Sequence, residues 1–204
     1  MDLKQQILEK SFDLFMRYGI KSITMDDIAK ELGISKKTLY QYVENKTDLI
    51  EQIFHRHIDE EKQAIDAIRQ HSSDAIDEML GIAKHVINEL RTVSANVLYD
   101  LQKYYPPTWA MMEGLQKKHI FTVIKENLER GIRQGLYRAN LNADIIAKLY
   151  VGKAMLLIDD DFFPLQNYNI SDLYREYIYY HIHGIASAKG QQLLEKHLVL
   201  RTLQ

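Results

Sequence analysis

The sequence contains no cysteine, three prolines, nine glycines and one tryptophan in 204 residues. Without cysteine there can be no disulfide framework and no thiolate metal centre. So little proline and glycine disfavours a turn-rich β architecture and favours long helices. No apolar run is long enough to cross a bilayer: the longest, around 149–158, is interrupted by Lys153. The first residues, Met1-Asp2-Leu3-Lys4-Gln5-Gln6, lack the charged-then-apolar order of a secretory signal. A soluble cytoplasmic protein without membrane contact is expected. One sign of charge does not dominate either, with 26 Lys and Arg against 28 Asp and Glu, a formal net charge of −2. Bulk charge therefore names no nucleic-acid partner.

What the chain does have is helical periodicity almost throughout, with 46% apolar residues. A first helix is predicted over 3–18, stopped by Gly19. Thr24 can cap a second helix, with Asp26 and Asp27 suited to its first turn. Ser35 can cap a third over about 36–43, and Asn45 a fourth over about 46–70. Further helices are predicted over about 74–91 and 94–105. Pro106-Pro107 breaks the pattern. A long helix over about 108–134 follows, ended by Gly135. Asn142 can cap a helix to about 158, Ser171 one to about 188, and a short tail helix follows Gly190. No strand is expected.

The run from Ile28 to Lys46 is the most specific part of the chain. Two helices crossing steeply need a small residue at the crossing, a glycine at positive φ in the turn, and an apolar plug between them. In a 20-residue unit counted from Met25, the fifth residue is Ala29, the ninth Gly33 and the fifteenth Leu39. Ile28, Leu32 and Ile34 fill the other apolar places. This is the pattern of a helix-turn-helix; two ordinary amphipathic helices with a glycine cap would share it in part. Residues 1–50 carry eight basic and eight acidic residues, yet 35–46 hold three lysines against Glu44, a local net of +2. Lys36, Lys37 and Lys46 fall in first turns, where cations oppose the helix dipole. A phosphate would reverse that sign. On the third helix Lys36, Lys37, Thr38, Gln41 and Tyr42 can face outward toward base edges and phosphates. Tyr40 is equally suited to packing and to DNA contact.

These residues resemble the tetracycline-repressor (TetR) family of bacterial transcriptional regulators. The likeness is strongest from Ile7 to Leu49, through Thr24, Ile28-Ala29, Gly33-Ile34-Ser35, Thr38-Leu39-Tyr40 and Asn45-Lys46-Thr47-Asp48-Leu49. Val43 stands where many members have Phe. The resemblance implies an all-α fold. An N-terminal three-helix helix-turn-helix DNA-binding domain (1–48) is joined by a long helix to a larger helical ligand-binding and dimerisation domain (49–204). It implies a DNA-binding transcriptional regulator that acts as a homodimer on a near-palindromic double-stranded DNA operator and is released by a small-molecule effector. Thr24, Lys36, Lys37, Thr38, Tyr40, Gln41, Tyr42 and Lys46 are the expected DNA-binding residues.

Aromatic and polar residues of the middle helices are candidates for an effector pocket: His85, Tyr99, Tyr105, Trp109, Met112, His119 and Phe121. A mostly apolar or aromatic ligand would suit them. The dimer contact is expected on two late helices. The first carries Ile145, Ile146, Leu149, Met155 and Leu156, and the second Leu173, Tyr174, Tyr177, Ile178, His181, Ile182 and Ile185. Two alternatives compete. A helix-turn-helix protein with no inducer, constitutive or controlled by a protein partner, fits the same residues. A di-metal helical enzyme does not, because no Glu is followed three residues later by His. No catalytic residue, metal or cofactor is expected.

Overall fold

The computed structural model describes residues 2–164 and 166–202, with the side chains of Ala95 and 198–202 excepted. Eleven α-helices are described: α1 (Leu3–Tyr18), α2 (Met25–Glu31), α3 (Lys36–Leu39), α4 (Lys46–His71), α5 (Ala75–Leu90), α6 (Ala95–Tyr104), α7 (Pro106–Gly114), α8 (Phe121–Arg133), α9 (Ala143–Leu156), α10 (Ile170–Ile185) and α11 (Ala188–Thr202). A π-helical turn, Leu115–Ile120, joins α7 to α8. Among the described residues the only β pairing is an isolated antiparallel bridge, Tyr137 with Ala186. No helix among them is long and apolar enough to cross a membrane.

The chain divides into two compact units, 1–62 with 92–115, and 63–91 with 116–204. The unit holding the helix-turn-helix is thus larger than the expected 1–48, and it includes α6 and α7. Its core joins Ile7, Phe15 and Met16 of α1 to Ile28 and Ala29 of α2, Leu39 of α3 and Leu49, Ile50 and Phe54 of α4. Val97 and Leu101 of α6 complete it. Two polar contacts tie α6 down: the Ser94 amide donates to the Met16 carbonyl at 2.9 Å, and the Lys21 amide to Asp100 Oδ2 at 2.7 Å.

In the second unit α5 is buried through Ile76, Met79, Ile82 and Ala83, and α8 through Val123, Ile124 and Leu128. A buried polar knot closes this region. The Tyr137 hydroxyl lies 2.9 Å from both the Ala75 carbonyl and Asn127 Oδ1, and Asn127 Nδ2 donates to the same carbonyl. The ring lies against Gly131, where a Cβ would come within 2.1 Å of it. Burial pushes the Tyr137 phenol far above its ordinary range, so it stays protonated.

Several helix boundaries differ from expectation. Asn169, not Ser171, caps α10: Asn169 Oδ1 accepts from the Ser171 and Asp172 amides at 2.9 and 3.3 Å. Pro106-Pro107 opens α7 instead of preceding it, because the first turn of a helix does not need proline's missing N–H. The long helix expected over 108–134 is interrupted by the π turn, which no periodicity in the sequence announces.

The exposed face expected for dimerisation is also redistributed. Tyr174, Tyr177, Ile178, His181, Ile182 and Ile185 of α10 are buried within the chain itself. The Tyr150 and Tyr174 hydroxyls lie 2.8 Å apart, and the Tyr177 hydroxyl donates to the Tyr150 carbonyl at 2.8 Å, pinning α9 to α10. The large apolar side chains left exposed on these helices are Ile145, Leu149, Tyr179 and Tyr180, at 51–68%.

Candidate nucleic-acid interface

The reader is built by local capping. Thr24 and Asp27 form a capping box: the Asp27 amide donates to Thr24 Oγ1 at 3.2 Å, and the Thr24 amide to Asp27 Oδ2 at 2.9 Å. The Thr24 hydroxyl also donates to that carboxylate at 2.6 Å, and these bonds hold the Asp27 carboxyl below its usual range. Thr24 is thereby occupied in starting α2. The turn follows at Gly33, with φ +65°. The Ile34 amide reaches back to the Ala29 carbonyl at 3.0 Å, satisfying a helix-end carbonyl.

Ser35 opens α3 by accepting from the Thr38 amide at 3.0 Å. The Thr38 hydroxyl is 2.8 Å from the Ser35 hydroxyl, so it is engaged in the cap. The helix itself is only Lys36–Leu39, shorter than the expected 36–43. The Gln41 and Tyr42 amides bond to Thr38 and Leu39, each three residues back, and tighten the chain out of α geometry. Leu39 and Val43 are buried, as the pattern requires. Tyr42 is half-buried against the core, not outward as expected. Lys37, Tyr40 and Gln41 are exposed.

The three lysines differ sharply. Lys36 is exposed but lies 2.9 Å from Asp26 Oδ1 of α2, which holds its ammonium above the usual range. Lys46 turns inward. Its Nζ donates to the Ile20 carbonyl at 2.6 Å and the Ile23 carbonyl at 2.5 Å, and it stands 5.8 Å from the Phe15 ring. Burial lowers its pKa, partly offset by Asp100 and Asp27. Its place at the start of α4 thus has an internal reason: it clamps the α1–α2 loop. No pattern in the sequence signals this, because the partners are backbone carbonyls more than 20 residues away. Asp100, buried beside the same loop, was likewise missed. Lys37 is the exposed lysine of α3 for which no ion pair is described.

This surface offers the Lys37 ammonium on a capped four-residue helix, with the Tyr40 phenol and Gln41 amide on the turn that follows it, a chemistry suited to a major groove. Residues 7–53 match the model of bacterial regulatory proteins of the tetR family. The chain belongs to that family. It is similar to YvaF, a helix-turn-helix transcriptional regulator of Bacillus subtilis strain 168, at 26% identity over 81% of this chain and 85% of the relative. Its fold matches a TetR-family transcriptional regulator from Marinobacter aquaeolei VT8, with TM-score 0.72 and 20% identity over 99% of this chain and 98% of that one. It also matches a transcriptional regulator from Saccharomonospora viridis in complex with choline, with TM-score 0.71 and 20% identity over 90% and 97%. This tetR-family chain is accordingly a DNA-binding transcriptional regulator, and the proteins it resembles are regulators, not enzymes.

The seven effector-pocket candidates of the regulator fall in different places. Tyr99, Tyr105, Trp109 and Met112 belong to the first unit, and His85, His119 and Phe121 to the second. Tyr105, Trp109 and Met112 pack on the helix-turn-helix core. Tyr99 is exposed and bonded to Lys103. None of the seven lines either of two clefts described in the second unit. One cleft, of about 430 Å³, is strongly polar. Glu78, 3% exposed, meets Arg130 at 2.8 Å and Arg69 at 3.6 Å there, and Arg69 also pairs with Glu126. Burial raises the Glu78 pKa against the pull of both arginines. The other cleft, of about 340 Å³, has an apolar floor. Among the described residues no group of three or more His, Asp or Glu could hold a metal ion.

Proposed function

We propose that the chain is a homodimeric repressor that sits on a near-palindromic operator and leaves it when a small molecule binds the second unit. The observation that carries the DNA half is the capped α3, with Lys37, Tyr40 and Gln41 exposed on a turn fixed by Ser35 and Gly33. Lys37 and Gln41 are suited to base edges and Tyr40 to a phosphate. Lys36, neutralised in part by Asp26, and Lys46, holding two carbonyls, contribute less than their positions suggest. Two-fold symmetry supports the palindrome, since it sets two such helices against two half-sites.

The chain passes between its two units three times: inside α4, at 91–92 and at 115–116. The last passage enters the π turn, a geometry common at functional sites. A ligand that prefers one arrangement of the second unit can therefore bias the reader. A 100-fold preference shifts the equilibrium by about 2.7 kcal/mol. The choline-bound neighbour supports a small-molecule effector.

The test is selection of bound duplexes from a random pool with the full-length protein. We expect an inverted repeat whose half-site centres lie about 34–36 Å apart or a near multiple. A single asymmetric half-site bound by a monomer would overturn the dimer reading. If compounds that stabilise the protein leave operator affinity untouched, the ligand-independent reading takes its place.

A further inference from the structure

The second unit holds two clefts of opposite character. In the polar one, four acidic residues face three arginines, and the charges answer one another. In the other, bounded by α5, α10 and α11, they do not. Its floor is Leu80, Ala83, Ile178, Ile182 and Leu194, all buried. Its rim carries Lys84, Arg91 and Arg175, and its lining contains no acidic residue. The whole chain has a net charge of −2, so an all-cationic rim is not a reflection of composition. Lys84, Asn88 and Arg91 recur at i, i+4 and i+7 on one face of α5 and its C-cap. Arg175 and Tyr179 repeat the first spacing on α10. These five residues are exposed. Arg175 also holds Asp172 at 2.5 Å. Asp172 lies outside the lining, and Arg175 remains half exposed.

An apolar trough edged with cations matches one kind of small molecule: an alkyl chain ending in an anion. We propose that this groove binds a single-chain amphipathic carboxylate, with its hydrocarbon along the floor and its carboxylate among Lys84, Arg91 and Arg175. The volume of about 340 Å³ falls within the roughly 300–1,000 Å³ usual for small-molecule sites. Arginine and lysine at the rim give charge-assisted bonds to a carboxylate. A neutral or cationic head would forgo them.

Isothermal titration of the full-length protein without DNA tests this, using octanoate, decanoate and dodecanoate as dispersed monomers. The dissociation constant should fall about fourfold per added methylene until the floor is covered. Dodecanol and dodecyltrimethylammonium should bind at least about tenfold more weakly, the value of one charge-assisted contact. The surface double variant Lys84→Gln/Arg91→Gln should weaken dodecanoate to the same degree and leave dodecanol unchanged. Asn88→Trp, at an exposed rim position, should block both. Equal binding of acid and alcohol, or of acid and ammonium, would overturn the proposal, as would no binding at all. So would binding to anionic phospholipid vesicles without binding of free dodecanoate. A shift of Asn88→Trp from dimer to monomer by light scattering would reassign the groove to contact between copies. Because DNA is absent from the assay, its failure leaves the operator reading standing, and failure of operator binding leaves the groove standing.

Discussion

Lys37 and Lys46 sit near the starts of successive helices, yet they answer to different partners. Lys46 supplies donors to the Ile20 and Ile23 carbonyls. Lys46→Ala leaves two part-buried acceptors to find water, a loss of about 1–3 kcal/mol. It should lower the urea midpoint at unchanged m-value. Lys37→Ala should leave stability within about 0.5 kcal/mol and relax the operator preference at the base pair it reads by about 1–3 kcal/mol. Identical behaviour of the two variants in both assays would contradict this division. His181 makes a third residue-scale case. It lies 5.0 Å from the Tyr150 ring and 6.2 Å from that of Tyr177, and burial, with a smaller effect of Lys153, lowers its pKa to about 4 from 6.5. Below pH 6.5 the unfolded chain takes up this proton first, so folding stability is lost as the pH falls from about 6.5 to about 4. The loss is on the order of 3 kcal/mol. His181→Phe should flatten denaturation midpoints across that window.

At the scale of elements, α3 has four residues and little intrinsic stability. Its position depends on its cap and turn. Ser35→Ala should cost about 1 kcal/mol and weaken operator binding beyond the global loss of stability, because the helix start loses its anchor. Measuring both on one sample separates local from global effects; unchanged operator affinity would count against it. What was legible in the sequence was of this local kind. Thr24, Ser35, Asn45 and Asn142 cap the helices expected of them through contacts of three residues, and Gly33 and Gly135 stand at positive φ. The same logic misplaced one cap, because Asn169 and Ser171 are both competent and only the fold decides between them. Long-range contacts were out of reach. Neither the inward turn of Lys46 nor the docking of Val97 and Leu101 on the reader's core leaves a periodic trace. The effector candidates Tyr105, Trp109 and Met112 read as pocket-lining residues for the same reason: periodicity shows that a face is apolar, not which core it joins.

For the whole molecule, the proposed dimer turns on the faces that α9 and α10 leave uncovered. Ile145 and Leu149 recur one turn apart on α9, and Lys153 of α9 lies 4.8 Å from the Tyr180 ring of α10. These side chains are exposed in the single chain, so Leu149→Glu/Tyr180→Glu should not disturb folding. It should yield a monomer by light scattering at micromolar concentration, since a carboxylate buried at a symmetric contact is met by its own copy. A persistent dimer would move the contact elsewhere.

The core shared by α1, α2, α4 and α6 also bears on heredity. A recombination event that joined residues 1–48 of this gene to the remainder of a distant relative's would bring in a foreign α6. The pockets filled by Val97 and Leu101, and the Lys21 amide answered by Asp100, would be inherited from one parent and their occupants from the other. Residues 1–48 and the remainder are therefore not freely interchangeable between members of such a lineage. A hybrid that also carries 92–115 from the reader's parent should refold to the parental midpoint, whereas the simple splice should melt lower.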